Sequence, residues 1–228
     1  MTVKLLFSTP LWLAANAIRM SHDNHDKGDS QRYDDLYSDN REWIETGPKD
    51  KALIDRVGNK LKHQSVLEQL VYTFEIDGIS RACLQELARH RTARLTVKSS
   101  RYTLNELKHE GSIHNTDTSL DATFRWDVVE KYCVLTANTD VNFAIAKALS
   151  NLQQLIEDGV SNDIAKFALP EAFKTKLQWQ MDGRNLQSFL KLRLAKDALW
   201  EIRLLAQAIK LALPDEHKYL FEHDAILD

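Results

Sequence analysis

The sequence predicts an α/β-mixed, helix-dominated fold, a single domain over residues 1–228 built around a small, mainly antiparallel sheet. Three observations carry this. Apolar residues recur at helical spacing over several long segments, while only short stretches alternate strand-forming with polar residues. The chain has 228 residues with seven Gly and four Pro, and none of these gathers into a linker, a repeat or a low-complexity tract.

The elements follow in chain order. Val3 to Phe7 is read as a short strand. Thr9-Pro10 matches a helix N-cap with proline at the first helical position and opens a helix from Leu11 to Met20. Ser21 to Gly47 is polar and irregular, a long surface excursion. Asp50 is expected to cap a second helix with Leu53, Ile54, Val57 and Leu61 on one stripe. Leu70 to Ile76 alternates and ends at the turn pair Asp77-Gly78, so a strand is expected there. Ser80 begins a helix that buries Ala82, Cys83, Leu84, Leu87 and Ala88. Leu95 to Leu104 contains strand formers interrupted by Ser99-Ser100, and residues 108–121 read as a polar loop. Phe124 to Glu157 is a long helical stretch, broken near Asn138-Thr139-Asp140 and stopped at Gly159. Ser161 caps a short helix, Phe173 to Met181 alternates as a strand, and Asp182-Gly183 breaks it. Two helices follow, Asn185 to Leu192 and Ala195 to Leu213.

Composition narrows the function. With 43% hydrophobic and 28% charged residues the chain is not of the disordered class. No apolar run approaches the roughly 20 residues of a membrane span. Met1 to Met20 lacks a small-residue cleavage site and holds Trp12 and Asn16 in its apolar stretch, which argues against a secretory leader. A formal net charge of −3 is unlike that of a dedicated nucleic-acid binder. Cys83 and Cys133, the two cysteines, form no CxxC pair, so neither a disulfide scaffold nor a cysteine zinc site is expected, and a cytoplasmic location is the simplest reading.

The densest polar cluster is Arg89-His90-Arg91, continuing through Arg94, Lys98, Ser99, Ser100, Arg101 and Tyr102. Successive helical residues point about 100° apart, so the triplet cannot form one solvent-facing stripe. Cations in a last turn complement the helix dipole, which is the bland explanation. Seven residues after Arg91, however, Ser99-Ser100-Arg101 supplies hydroxyls and a guanidinium fork suited to phosphate or carboxylate. Together these point to a multiply anionic ligand such as a nucleotide with a flavin or dinucleotide. Neither GxGxxG nor GxxxxGK[ST] occurs, so a Rossmann or Walker loop is not what holds it. Arg184, Lys191 and Arg193 form a second basic group. Arg184 and Arg193 are nine residues apart and leave a helix on roughly opposite faces, and surface salt bridges are the simpler role for them. His63-Gln64-Ser65-Val66-Leu67-Glu68 has the residue types of a triad without a nucleophile turn. His22 and His25, with Asp23 and Asp26, are a weak metal signal in a charged loop. Both cysteines read as core.

Taken together, these residues resemble the flavin-dependent thymidylate synthases. The family's RHR, seven residues and Ser are matched by Arg89-His90-Arg91, Thr92 to Lys98 and Ser99, followed by Ser100-Arg101-Tyr102. His63 to Glu68 matches its His-x-[Ser/Thr]-x-x-Glu segment, ahead of Tyr72-Thr73-Phe74. Ala165 to Pro170 is similar to its A-R-x-x-L-P. Arg184-Asn185-Leu186 through Leu190-Lys191-Leu192-Arg193 is similar to its N-x-R-x-L-x-x-F-x-x-L-R, and Trp200-Glu201-Ile202-Arg203 to the helix that follows. The likeness runs over roughly residues 1 to 213.

The resemblance implies a homotetramer that binds FAD at subunit junctions and converts dUMP to dTMP, with 5,10-methylenetetrahydrofolate as carbon donor and NADPH as reductant. No metal is implied. Uracil must be activated without a cysteine adduct, and a guanidinium beside the ring can stabilise negative charge as N3 ionises. By position Arg193 is that catalytic residue. The resemblance assigns FAD to His63, Ser65, Glu68, Arg89, His90, Arg91, Val97, Asp182, Arg184, Ser188 and Leu192. It assigns dUMP to Glu86, Leu87, Ala88, Arg89, Val97, Lys98, Ser99, Ser100, Arg101, Lys166 and Arg193, with Lys166 coming from a neighbouring subunit. This chain departs from the family pattern at Glu86, Val97, Lys166, Asp182, Ser188 and Asp197. Two other readings are a nucleic-acid-binding module using Arg81 to Lys108, and a metal hydrolase built on His22, His25, His63, His109 and His114.

Overall fold

The structure, a computed structural model, describes residues 1–30, 46–114 and 124–222. Parts of the expected 21–47 excursion and 108–121 loop lie outside the described residues. In chain order the elements are β1 (Thr2–Ser8), α1 (Trp12–Met20), α2 (Pro48–Ile54), β2 (Val71–Ser80), α3 (Arg81–Ala88), β3 (Arg94–Val97) and α4 (Ser100–Thr103). They continue with α5 (Trp126–Tyr132), α6 (Thr139–Glu157), α7 (Asn162–Ala165), β4 (Lys174–Asp182), α8 (Gly183–Arg193) and α9 (Trp200–Ala212). The strands described form one antiparallel four-stranded sheet in the order β1-β2-β4-β3.

Strand β4 buries Thr175, Leu177, Trp179 and Met181 at period two, which is why its alternation was readable. Strand β2 does not stop at Asp77-Gly78 but runs on to Ser80. Gly78 takes φ +81, a left-handed conformation open to glycine, so the turn residues are absorbed inside the strand.

By its contacts the chain divides into two compact units. The first comprises Met1, Ile76–Arg89 and Thr96–Leu177. Its core joins Leu104, Leu107 and Ile113 to Val128 and Val129 of α5 and to Ala146, Leu149, Leu152 and Ile156 of α6. Buried Gln153 spends its amide on main chain, accepting from Ile113 N–H at 2.9 Å and donating to the carbonyls of Leu107 and Gly111 at 3.0 and 2.6 Å. The helix expected to begin at Ser80 does so, with Ser80 Oγ as its cap accepting from Cys83 N–H at 3.0 Å. Of the side chains expected to be buried there only Cys83 and Leu87 are; Ala82 and Leu84 are half-buried and Ala88 is exposed. Within the expected 124–157 helix the break is wider than the sequence shows. Helix α5 ends at Tyr132, and Cys133 turns extended to pair with Phe173 before Asn138 caps α6.

The second unit comprises Thr2–Glu75, His90–Leu95 and Gln178–Asp228. Leu11, Ala14 and Ile18 of α1, Tyr72 and Phe74 of β2, Trp179 of β4, Leu186 and Phe189 of α8 and Ile202, Leu205 and Ile209 of α9 are buried in it. Two expected caps are corrected here. Thr9 does not cap α1; its hydroxyl accepts from Val71 N–H at 2.9 Å and ties the end of β1 to β2. Asp50 lies buried in the first turn of α2 behind the N-cap Gly47, accepting from Arg19 Nε at 2.9 Å and Ser30 Oγ at 2.6 Å. In both, a distant buried partner outcompetes the local backbone. Helix α8 starts at Gly183, capped by Asp182, and α9 starts at Trp200 rather than Ala195. Residues Asp215–Phe221 add 3-10 turns that bury His217, Leu220 and Phe221, with no sequence signal to announce them.

Candidate functional site

Helix α8 sorts its residues by face. Gly183, Leu186, Gln187, Leu190 and Arg193 recur at steps of three and four and are buried. Arg184, Ser188 and Leu192 are spaced by four and exposed, Leu192 at 55% against 8% for Arg193. The helix can approach β2 because residue 183 is glycine. A Cβ there would stand 2.9 Å from the Leu67 carbonyl oxygen, and Gly183 N–H donates to the Leu70 carbonyl at 2.7 Å. Asp182 spends its carboxylate on the cap, accepting from Asn185 N–H at 2.9 Å and Asn185 Nδ2 at 2.6 Å.

The exposed face of α8 meets the turn that carries His63, Ser65 and Glu68, all three exposed. Arg184 Nη1 donates to Glu68 Oε1 at 2.6 Å, while Gln64 Nε2 reaches the buried face and donates to Gln187 Oε1 at 3.3 Å. Six of the expected flavin contacts (His63, Ser65, Glu68, Arg184, Ser188 and Leu192) are exposed side chains of the second unit, and among them Arg184 and Glu68 touch. On the buried face, Arg193 Nε donates to His90 Nε2 at 3.0 Å. The Arg89-His90-Arg91 triplet falls past the end of α3, with Arg89 as its C-cap, so the expected helical spread does not apply and the turn leaving the helix separates the side chains. His90 turns inward, and Arg89 and Arg91 are exposed.

The remaining expected nucleotide contacts are in the first unit, with Val97 in β3. Arg89 Nη1 lies 3.3 Å from Glu86 Oε1, and Lys98 Nζ 3.2 Å from Glu106. Arg101 forms a two-pronged ion pair with Asp163, and Asn162 Nδ2 donates to the Arg101 carbonyl at 2.8 Å. A cleft of about 370 Å³ opens there, lined by Arg101, Tyr102, Asn105, Lys108 and residues 159–163. Ser99 stands at the N-cap of α4 with no side-chain cap bond. Lys166 follows α7 and lies 5.8 Å from the Phe167 ring centre. Leu87, expected among the nucleotide contacts, is wholly buried and offers a ligand no surface, while Ala88 is exposed. Sequence reasoning missed Asp163 and Glu106 as partners of these cations. Asp163 is 62 positions from Arg101, and no local pattern links them.

The segment Arg81 to Lys108 presents no uninterrupted basic face, since Arg89, Lys98 and Arg101 each face a carboxylate. Among the described residues no group of three or more His, Cys, Asp or Glu is arranged to hold a metal ion, and His22 Nδ1 bonds to Ser21 Oγ at 2.8 Å. Both cysteines are buried, and burial pushes the Cys133 thiol up to about 12, far from thiolate chemistry near neutral pH. No described helix is long and apolar enough to cross a membrane.

Separate surfaces of guanidinium and hydroxyl groups, with no reactive thiol, define a protein built to grip anionic ligands. Comparison with known proteins gives the family. The profile of thymidylate synthase complementing protein matches residues 4–216. The flavin-dependent thymidylate synthase of Wolinella succinogenes is 51% identical over 221 residues, covering 97% of each chain. That of Helicobacter pylori (strain ATCC 700392 / 26695) is 45% identical over 216 residues, or 94% of each. The crystal structure of Thymidylate Synthase X from Helicobacter pylori with FAD and dUMP superposes with a TM-score of 0.83 at 43% identity, over 98% of this chain and 99% of that one. This chain belongs to the thymidylate synthase complementing protein family.

Proposed function

We propose that this chain is a flavin-dependent thymidylate synthase. It converts dUMP to dTMP, taking carbon from 5,10-methylenetetrahydrofolate and reducing equivalents from NADPH through FAD. The observation that carries the reading is Arg193, a guanidinium buried on the apolar stripe of α8 and held by His90 Nε2. A guanidinium tied to an imidazole among packed side chains is held in one place, as a group that must meet a developing charge has to be.

The donor set fits FAD. Arg89, Arg91 and Arg184 are exposed cations, and Ser65 and Ser188 are exposed hydroxyls, so a pyrophosphate and ribityl chain find both charge and hydrogen-bond partners. His63, Ser65, Glu68, Arg184, Ser188 and Leu192 would hold the flavin, which when bound supplies hydride transfer. Ser99, Ser100 and Arg101 take the phosphate and sugar of dUMP, and Lys166 adds a charge. Arg193, beside the pyrimidine, stabilises negative charge as N3 ionises, so that C5 reacts without a thiol adduct.

The active assembly is a homotetramer with sites shared between subunits. Ile164, Phe167 and Tyr102 in the first unit, and Phe7 and Leu211 in the second, are large apolar side chains left exposed on one chain, as subunit contacts would need. The chemistry belongs to nucleotide biosynthesis in the cytoplasm. The test is a visible absorption spectrum of the purified protein, followed by dTMP formation from dUMP, methylenetetrahydrofolate and NADPH. A flavin spectrum with dTMP formed supports the reading; a protein that takes up no FAD, or a flavoprotein that makes no dTMP, overturns it.

A further inference from the structure

Arg193 reaches His90 across 103 positions of sequence, Nε to Nε2 at 3.0 Å. A guanidinium carries only donors, so Nε2 must be the acceptor, and the His90 ring in this bond is neutral with its proton on Nδ1. The ring is itself held in place. It stands edge-on to Phe189, centroids 4.9 Å apart and planes at 75°, and Phe189 packs in turn on Trp179 at 5.0 Å. Phe189 lies one turn before Arg193 on the same helix. Core side chains therefore fix the imidazole, and the imidazole fixes the plane of the guanidinium fork, which sets where Nη1 and Nη2 point.

We propose that His90 is a positioning residue for Arg193 rather than a group whose task is to hold the flavin. This rests on the reading of Arg193 as the guanidinium beside the uracil ring. A long side chain with several torsions delivers charge to a developing anion only if its fork is aimed beforehand. A histidine anchored in the core does this without adding a charge of its own.

The test compares His90→Leu, which removes the acceptor, with His90→Gln, whose Oε1 reaches about as far as Nε2, each alone and with Arg193→Lys. Turnover per bound flavin, KM for dUMP, flavin content by visible absorption, and the Arg193 Nε–H resonance in a nitrogen-15 spectrum are read together. H90L is expected to lower kcat about 100-fold, the cost of a misplacement near 1 Å, with flavin content and KM changed by less than about threefold. H90Q is expected to regain at least about tenfold of that loss. H90L is expected to add nothing in the R193K background. The Nε–H signal, protected from solvent exchange in the parent, is lost in H90L.

Loss of flavin with kcat per bound flavin retained would overturn the proposal, as would an unchanged kcat in H90L. So would an H90Q no better than H90L, or an Nε–H signal indifferent to residue 90. If H90L does not fold, His90→Asn, whose amide is too short to reach, replaces it. A parent protein that forms no dTMP would instead count against the proposed function, and the resonance would still report whether His90 holds Arg193.

Discussion

Arg101 and Asp163 face each other in a two-pronged ion pair, with Arg101 Nη2 3.1 Å from Asp163 Oδ2, at the edge of a cleft of about 370 Å³. Both side chains are more than half exposed, a setting in which such pairs contribute roughly 0–1 kcal/mol. A phosphate carrying up to two charges can therefore displace the carboxylate at small cost. Arg101→Ala is expected to weaken dUMP binding by about tenfold or more, since a charge-assisted bond is lost. Asp163→Asn removes the competitor and is expected to tighten dUMP by up to about fivefold with little change in stability. Equilibrium titration with dUMP reads both. Unchanged affinity in R101A would mean that the phosphate is held elsewhere.

Arg193→Lys keeps the charge but loses the planar fork and its Nε anchor. Turnover is expected to fall by about 100- to 1000-fold, the usual cost of losing a donor aimed at a developing anion. Bound FAD is expected to remain, because the surface proposed for the flavin lies on the opposite face of α8. Single-turnover rates with a matched flavin spectrum check this. Loss of flavin in parallel with rate would contradict the division of the helix into two faces.

Gly183→Ala places a methyl group 2.9 Å from the Leu67 carbonyl oxygen, where main chain cannot yield cheaply. The strain is expected to destabilise the protein by about 1–3 kcal/mol and to lift α8, lowering turnover through Arg193. Thermal unfolding and kcat measured on one preparation test the pair of effects. A variant as stable as the parent would show that α8 relaxes freely.

His217 is buried, and its Nδ1 lies 2.8 Å from the Tyr72 hydroxyl. Burial first, and then repulsion from Lys51, push its pKa down from 6.5 to about 4. The unfolded chain takes up a proton near pH 6.5 that the folded chain refuses until about pH 4. Stability is therefore complete above pH 6.5 and falls between 6.5 and 4, by on the order of 3 kcal/mol in total. Asp50 acts in a separate, more acidic window. Its burial alone would raise the pKa, but hydrogen bonds from Ser30 and Arg19 outweigh that and hold it below 3.8, so its contribution is lost only below that pH. Melting temperature followed from pH 7.5 to 4 should show the decline, and His217→Gln should flatten it. A parent curve flat over that range would mean that the folded ring takes up its proton as readily as the unfolded one.

Much of the fold around the candidate site was legible in the chain because its signals are local. Ser80 as a cap, the period-two burial of β4 and the opposed faces of Arg184 and Arg193 depend on neighbours within a few residues. Even the burial of Arg193 was on view, since it falls three and seven residues after Leu190 and Leu186 on the apolar stripe. Reading that arginine as a surface salt bridge gave its charge more weight than its position. Thr9 and Asp50 were misplaced for the converse reason. Their types suit caps, but their partners Val71, Arg19 and Ser30 lie 20 to 62 positions away.

The sequence alone determined the mixed, helix-rich class and its antiparallel sheet, the order of the motifs and the grouping of cations into separated segments. Each follows from the spacing of side chains along one backbone. Only the tertiary structure decided that His90 turns inward to meet Arg193, that Arg101 faces Asp163, and that Leu87 is closed to any ligand. Those outcomes depend on which distant groups share a low-dielectric interior or a cleft wall, and no spacing along the chain records that.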